Sequence, residues 1–179
     1  MRSVLSALAV SLMALNVGCG VGTVASTGVN IIQGVQANAI PLGQVASLTL
    51  EGFETIKVGQ VTTDVERICT SNVRAEVRTQ MGEAFADELV EAFPGGGKTL
   101  TVNVVCRFFK QKSLIGKEGR LDLLVALVDA ESNAELGRFY VEGISESPVH
   151  TGVDDMAEGT AKELTKFLKK LKKGKAKED

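Results

Sequence analysis

The chain has 179 residues, 44% of them hydrophobic and 23% charged, with a formal net charge of -2. That is enough for one packed domain and a tether, and it excludes a disordered chain and an overall electrostatic footprint for nucleic acid. With one histidine and three scattered cysteines, no zinc ligand set is present; neither a metal nor a cofactor is expected.

In chain order, residues 1–18 read as an export signal. Arg2 supplies a basic start, and Val4 to Leu15 form an apolar run too short to span a membrane. The run ends in "NVGC", where Gly18 and Cys19 resemble the lipobox of bacterial lipoproteins, with Asn16 in place of the usual leucine. That resemblance implies that Cys19 is lipidated and that acyl chains anchor the protein in a membrane. Gly20, in place of aspartate, implies the outer membrane. The alternative is plain cleavage, after Ala37–Ala39. Residues 19–44 carry no charge and are rich in Gly, Ala, Val and Thr, the composition of a tether.

The domain is expected over residues 45–173. "VASLTLEGFETIKVG" (45–59) alternates around Leu48, Leu50 and Phe53 and predicts a first strand. Val65, Cys69, Val73, Val77, Met81, Phe85, Leu89 and Phe93 then recur every four residues and predict a long amphipathic helix, begun at Thr63 or Ser71 and stopped by "PGGG". "KTLTVNVVCRFFKQ", "GRLDLLVALVDA" and "LGRFYVEGISES" predict three more strands, the middle one apolar on both faces. A last helix carries Met156, Ala157, Thr160, Ala161, Leu164, Phe167, Leu168 and Leu171 on one face. The order β-α-β-β-β-α predicts an α+β fold: one mixed four-stranded sheet with both helices packed on one face. Residues 174–179 are a charged tail.

"AFPGGGKT" (92–99) is one glycine short of a phosphate-binding P-loop, with Ala92 in that place. Its context is reversed. A P-loop leaves a strand and opens a helix, whereas here a helix runs into the glycines and a strand leaves them. A helix C-terminus carries partial negative charge, and Glu88 and Glu91 add to it. A helix stop is the better reading, with Lys98→Ala in a nucleotide-binding assay as its check. His150, in a loop with Ser147 and Asp154, has no nucleophile elbow beside it and reads as a loop residue. No catalytic residue is assigned.

Cys69 and Cys106 are the thiols left once Cys19 is lipidated. Strand 1 parallel to strand 2 would bring both to one end of the sheet, and in an oxidising compartment a disulfide is expected. Two buried free thiols are the alternative. From Lys162 onward the chain has a net charge of +5, against -7 for the remainder. Lys169, Lys170, Lys172 and Lys173 are either a solvated helix end or a contact for anionic lipid. With the two helices parallel, these lysines and Lys166 would lie beside the acidic end of the first helix. Leu114 and Ile115, in a basic loop, are a partner or membrane contact or else the end of a strand.

The phrases "VDAESNAELGRFYVEG" and "MAEGTAKELTKFLKK" resemble uncharacterised bacterial envelope lipoproteins with a small β-α-β-β-β-α domain. That domain is similar to the core of the curli-secretion lipoprotein and the N-terminal domain of the Tol-system translocation protein. The resemblance covers about residues 45 to 172 and carries no catalytic residue across. It implies a non-enzymatic, lipid-anchored protein-interaction or assembly module with an envelope protein as partner. The alternative is a soluble exported small-ligand-binding domain using Asn103, Arg107 and Arg120 on the polar sheet face.

Overall fold

The computed structural model describes residues 34–43, 48–111, 118–146 and 152–174. The elements are β1 (Gln36–Leu42), β2 (Phe53–Thr63), α1 (Ser71–Glu88), β3 (Lys98–Lys110), β4 (Gly119–Asp129), β5 (Glu135–Ser145) and α2 (Val153–Lys172). They form one sheet in the order β1-β5-β4-β3-β2. β2 and β3 are parallel, joined by the α1 crossover; every other neighbouring pair is antiparallel.

The fold is α+β, but the sheet has five strands where four were expected. The extra strand, β1, lies in the segment read as tether. Its sequence, QANAIPL, is uncharged and only weakly patterned, so its tertiary setting decides its conformation. It pairs with β5 from Gln36↔Ile144 to Leu42↔Arg138. Val35, just before it, packs where the backbones of α2 and β5 leave room. A Cβ added at Gly159 would lie 2.6 Å from Val35 Cβ, and one added at Gly143 would lie 2.6 Å from Thr160 Cγ2. These two glycines form a notch, and Val35 fills it.

The first predicted strand is displaced. β2 begins at Phe53, after a turn at Gly52 with φ +87°. Leu50 is fully buried ahead of it, and its N–H donates to the carbonyl of Leu171 at the end of α2 (3.4 Å). Helix α1 starts at the later of the two candidate positions. Thr63 ends β2 instead: its hydroxyl donates to the Cys106 carbonyl (2.7 Å) and accepts from the Val65 N–H (3.0 Å).

The core lies between the helices and one face of the sheet. Val73, Val77, Met81 and Phe85 of α1, with Leu89 and Phe93 beyond it, are buried against Leu100, Val102 and Val104 of β3 and the inward residues of β4. A spacing of four residues in a helix of 3.6 per turn advances this stripe by about 40° at each step. The buried face therefore winds around α1 as the helix crosses the twisted sheet. Phe139 of β5 is fully buried, its ring centroid 4.9 Å from that of Phe167.

Candidate interaction surfaces

The glycine loop lies beyond the helix and does not itself stop it: α1 ends at Glu88 with Leu89 as its cap, and a turn in which the Ala92 and Phe93 N–H groups donate to the Leu89 carbonyl leads into the glycines. Gly95, Gly96 and Gly97 all have positive φ (94°, 83° and 52°), a conformation open to glycine at little cost. The loop folds back on the start of β2. The Gly95 N–H donates to the Glu54 carbonyl (2.7 Å), and the Thr55 hydroxyl donates to the Gly96 carbonyl (2.8 Å). The Glu54 carboxylate lies against Gly97, 3.0 Å from where a Cβ would stand. A carboxylate on the glycines, with a helix C-terminus rather than an N-terminus beside them, is the wrong electrostatic setting for phosphate.

Cys69 and Cys106 form a disulfide, with their Cα atoms 6.0 Å apart and both residues fully buried. Arg74 steadies the turn before α1: its guanidinium donates to the Cys69 carbonyl (2.9 Å) and to Glu66 (2.8 Å).

At the end of α2, Lys172 and Lys169 are committed to the fold. Lys172 donates from Nζ to the Phe53 carbonyl and, at 3.5 Å, to that of Leu50, and it lies 5.2 Å from the Phe93 ring centroid. Lys169 donates to Glu88 (3.3 Å), whose carboxylate also accepts from the buried Thr165 hydroxyl (2.9 Å). The acidic end of α1 therefore meets the basic end of α2, the arrangement that parallel helices predict. Lys166 pairs instead with Glu163 of its own helix. Lys170 and Lys173 are exposed. Cys19, Leu114, Ile115 and His150 lie outside the described residues.

The three residues of the alternative ligand site are separate and engaged. Asn103 Oδ1 accepts from the Gln60 N–H (2.9 Å) at a bulge in β2, filling the space a side chain at Gly59 would need. Arg107 pairs with Asp64. Arg120 donates from Nε to Asp122 (2.8 Å) and from Nη2 to Glu142 (2.8 Å). Asn103 pairs with Ala126, six residues along β4 from Arg120, about 20 Å at strand rise. Asp122 is nearly buried, and Tyr140 joins the cluster. The Arg120 pKa is raised, chiefly by Asp122 and then by Tyr140. Burial first, and the bond to Asp122 second, raise the Tyr140 phenol.

A groove that the sequence reading missed runs between α1 and β2. It encloses about 300 Å³ and is lined by Ile56, Val58, Phe85, Leu89, Val90 and Phe93, with Lys57 as its charged member. The available signal was Gly82, a mid-helix glycine on the flank of α1 that the buried stripe leaves free.

The sequence matches no protein-family model and no curated protein. Solved structures of similar shape include a PelC dodecamer from Paraburkholderia phytofirmans (12% identity, covering 73% of this chain and 96% of that one, TM-score 0.49). Another is a protein from Caulobacter crescentus CB15 described as a candidate lipoprotein (14% identity, 66% and 90%, TM-score 0.44). A third is a DUF330 protein from Xanthomonas campestris (12% identity, 72% and 90%, TM-score 0.40). Likenesses this distant carry nothing about activity, ligand or partner.

Proposed function

We propose that this chain is an exported, lipid-anchored envelope domain that works by binding another envelope component and not by catalysis. The observation that carries the reading is the fully buried Cys69–Cys106 disulfide in a chain whose first 18 residues have the pattern of an export signal. Disulfides persist where thiols are not kept reduced, outside the cytosol. Cys19 is then the thiol left for acylation. Asn103, Arg107, Arg120, Lys169 and Lys172 are spent on internal partners, which supports an interaction module over a small-ligand site.

Metabolic labelling with a palmitate analogue tests the anchor. The full chain should incorporate label, and Cys19→Ala should abolish it. Unlabelled protein released freely into the medium would sink the lipid anchor. Crosslinking in intact membranes tests the partner; crosslinked species should be absent when the protein is purified alone.

A further inference from the structure

β2 is an edge of the sheet: β3 lies on one side, and no strand lies on the other among the described residues. Register shifts fall between Phe53 and Thr55 and between Val58 and Val61. Thr55 to Val58 is therefore a regular stretch of unpaired edge, and it lines the groove. The facing flank of α1 is bare. Arg78, Gly82 and Ala86 of α1 and Val90 just past its end recur every four residues, and all are exposed. Val90 is the most exposed of the large hydrophobics noted, at 58%. Nothing lies within 4 Å of a Cβ added at Gly82. Ile56 and Val58, paired with the buried Leu100 and Val102, face the helices, and Lys57, paired with Thr101, stands on the outer face of the same edge. Lys57 has no ion pair among the described residues, and no carboxylate lines the groove.

We propose that this groove binds an extended peptide segment of a partner protein. The segment adds as a strand to Thr55–Val58, sets alternate apolar side chains between β2 and α1, and carries on its outer face a carboxylate that meets Lys57. An unpaired edge beside an apolar trough needs an occupant that offers main-chain donors and acceptors along one side and side chains at every second residue, which an extended strand does and a helix does not. The small flank at Gly82 and Ala86 lets that strand approach. Lys57, an unpaired cation on the outer face of that edge, selects segments with an acidic over a basic residue at the neighbouring position. Pairing of β2 with the β1 edge of a second copy is disfavoured, because β1 contains Pro41, which has no N–H to donate. The inference deepens the interaction-module reading by naming the partner's chemistry. Its test is separate: failed palmitate labelling leaves the groove standing, and an empty groove leaves the anchor standing.

The full chain in detergent is used to select from a phage library of random twelve-residue peptides, and the most enriched peptide is synthesised. Enriched sequences should alternate apolar residues and include Asp or Glu, and Lys57→Glu should shift the selection to basic sequences. The peptide should slow amide exchange of Thr55–Val58. Gly82→Leu fills the trough and raises helix propensity, so the fold is kept while affinity falls at least about ten-fold. No enrichment, exchange protection elsewhere, or unchanged affinity in Gly82→Leu overturns the proposal. Protection of Thr55–Val58 on concentrating the protein alone also overturns it, in favour of a second copy.

Discussion

A methyl group added at Gly159 would meet Val35 Cβ at 2.6 Å and Cγ1 at 2.7 Å, closer than packed carbons allow. In an isolated helix Gly→Ala gains roughly 1 kcal/mol; here the side chain lands on the residue that seats β1. Gly159→Ala should therefore loosen β1 while leaving the central strands intact. Deuterium uptake over residues 36–42 should rise, with β3 and β4 still protected, and adding Val35→Gly, which removes both clashing carbons, should restore protection. Uptake unchanged in the single variant would show that the helix shifts to make room. Lys172 acts at the same scale. Its ammonium serves the Leu50 and Phe53 carbonyls and faces the Phe93 ring, tying the last helix to the crossover before β2. Lys172→Met keeps the stem and loses these bonds, and should cost about 1–2 kcal/mol in chemical denaturation. A variant as stable as wild type would mean that the ammonium gains as much from water.

Among the elements, legibility followed periodicity. α1, β3, β4 and α2 were readable because their buried residues repeat at helix or strand spacing, as Leu100, Val102, Val104 and Cys106 do. β1 was not. Its residues alternate only between half-buried and exposed positions, and what holds it is a β5 edge and a notch formed by Gly143 and Gly159, all roughly 100 residues or more further along the chain. The groove was hidden for the same reason, since it exists only where the flank of α1 and the edge of β2 come together. The "DAESN" turn, by contrast, is local. Asp129 accepts from the N–H of Glu131 (2.9 Å) and of Ser132 (3.4 Å), and Asn133 takes φ 55°. The Glu131 bond is the largest cause holding the Asp129 carboxyl below its ordinary value. A lowered pKa gives stability that is present above the unfolded-state value and is lost as pH falls through the folded one. The difference in melting temperature between wild type and Asp129→Ala should be full near neutrality and shrink below about pH 4. A pH-independent gap would assign the effect to packing instead. A double-mutant cycle of Glu88→Gln and Lys169→Met should give a coupling of about 0.3–1 kcal/mol that falls with salt.

Taken whole, the molecule closes β2, α1 and β3 into one unit with the Cys69–Cys106 bond, which spans 37 residues and joins the turn before α1 to β3. The three elements are already packed around it, with Cys106 in the helix-facing row of β3. The bond therefore acts mainly by restricting the unfolded chain, and the chain-entropy estimate for such a loop is about 4 kcal/mol. That is a large share of the roughly 5–15 kcal/mol that holds a domain folded. Cys69→Ala with Cys106→Ala should fold to the same structure but unfold at a lower denaturant concentration, with a loss of about 3–4 kcal/mol and little change in slope. Wild type unfolded in the presence of reductant should coincide with the double variant. The two buried sulfurs would then be kept as a covalent tie, and a chain held where thiols stay reduced would lose the same stability. If the double variant matches oxidised wild type, neither the bond nor the burial of the two sulfurs adds to stability, and the packing of α1 on the sheet around them holds this end of the domain by itself.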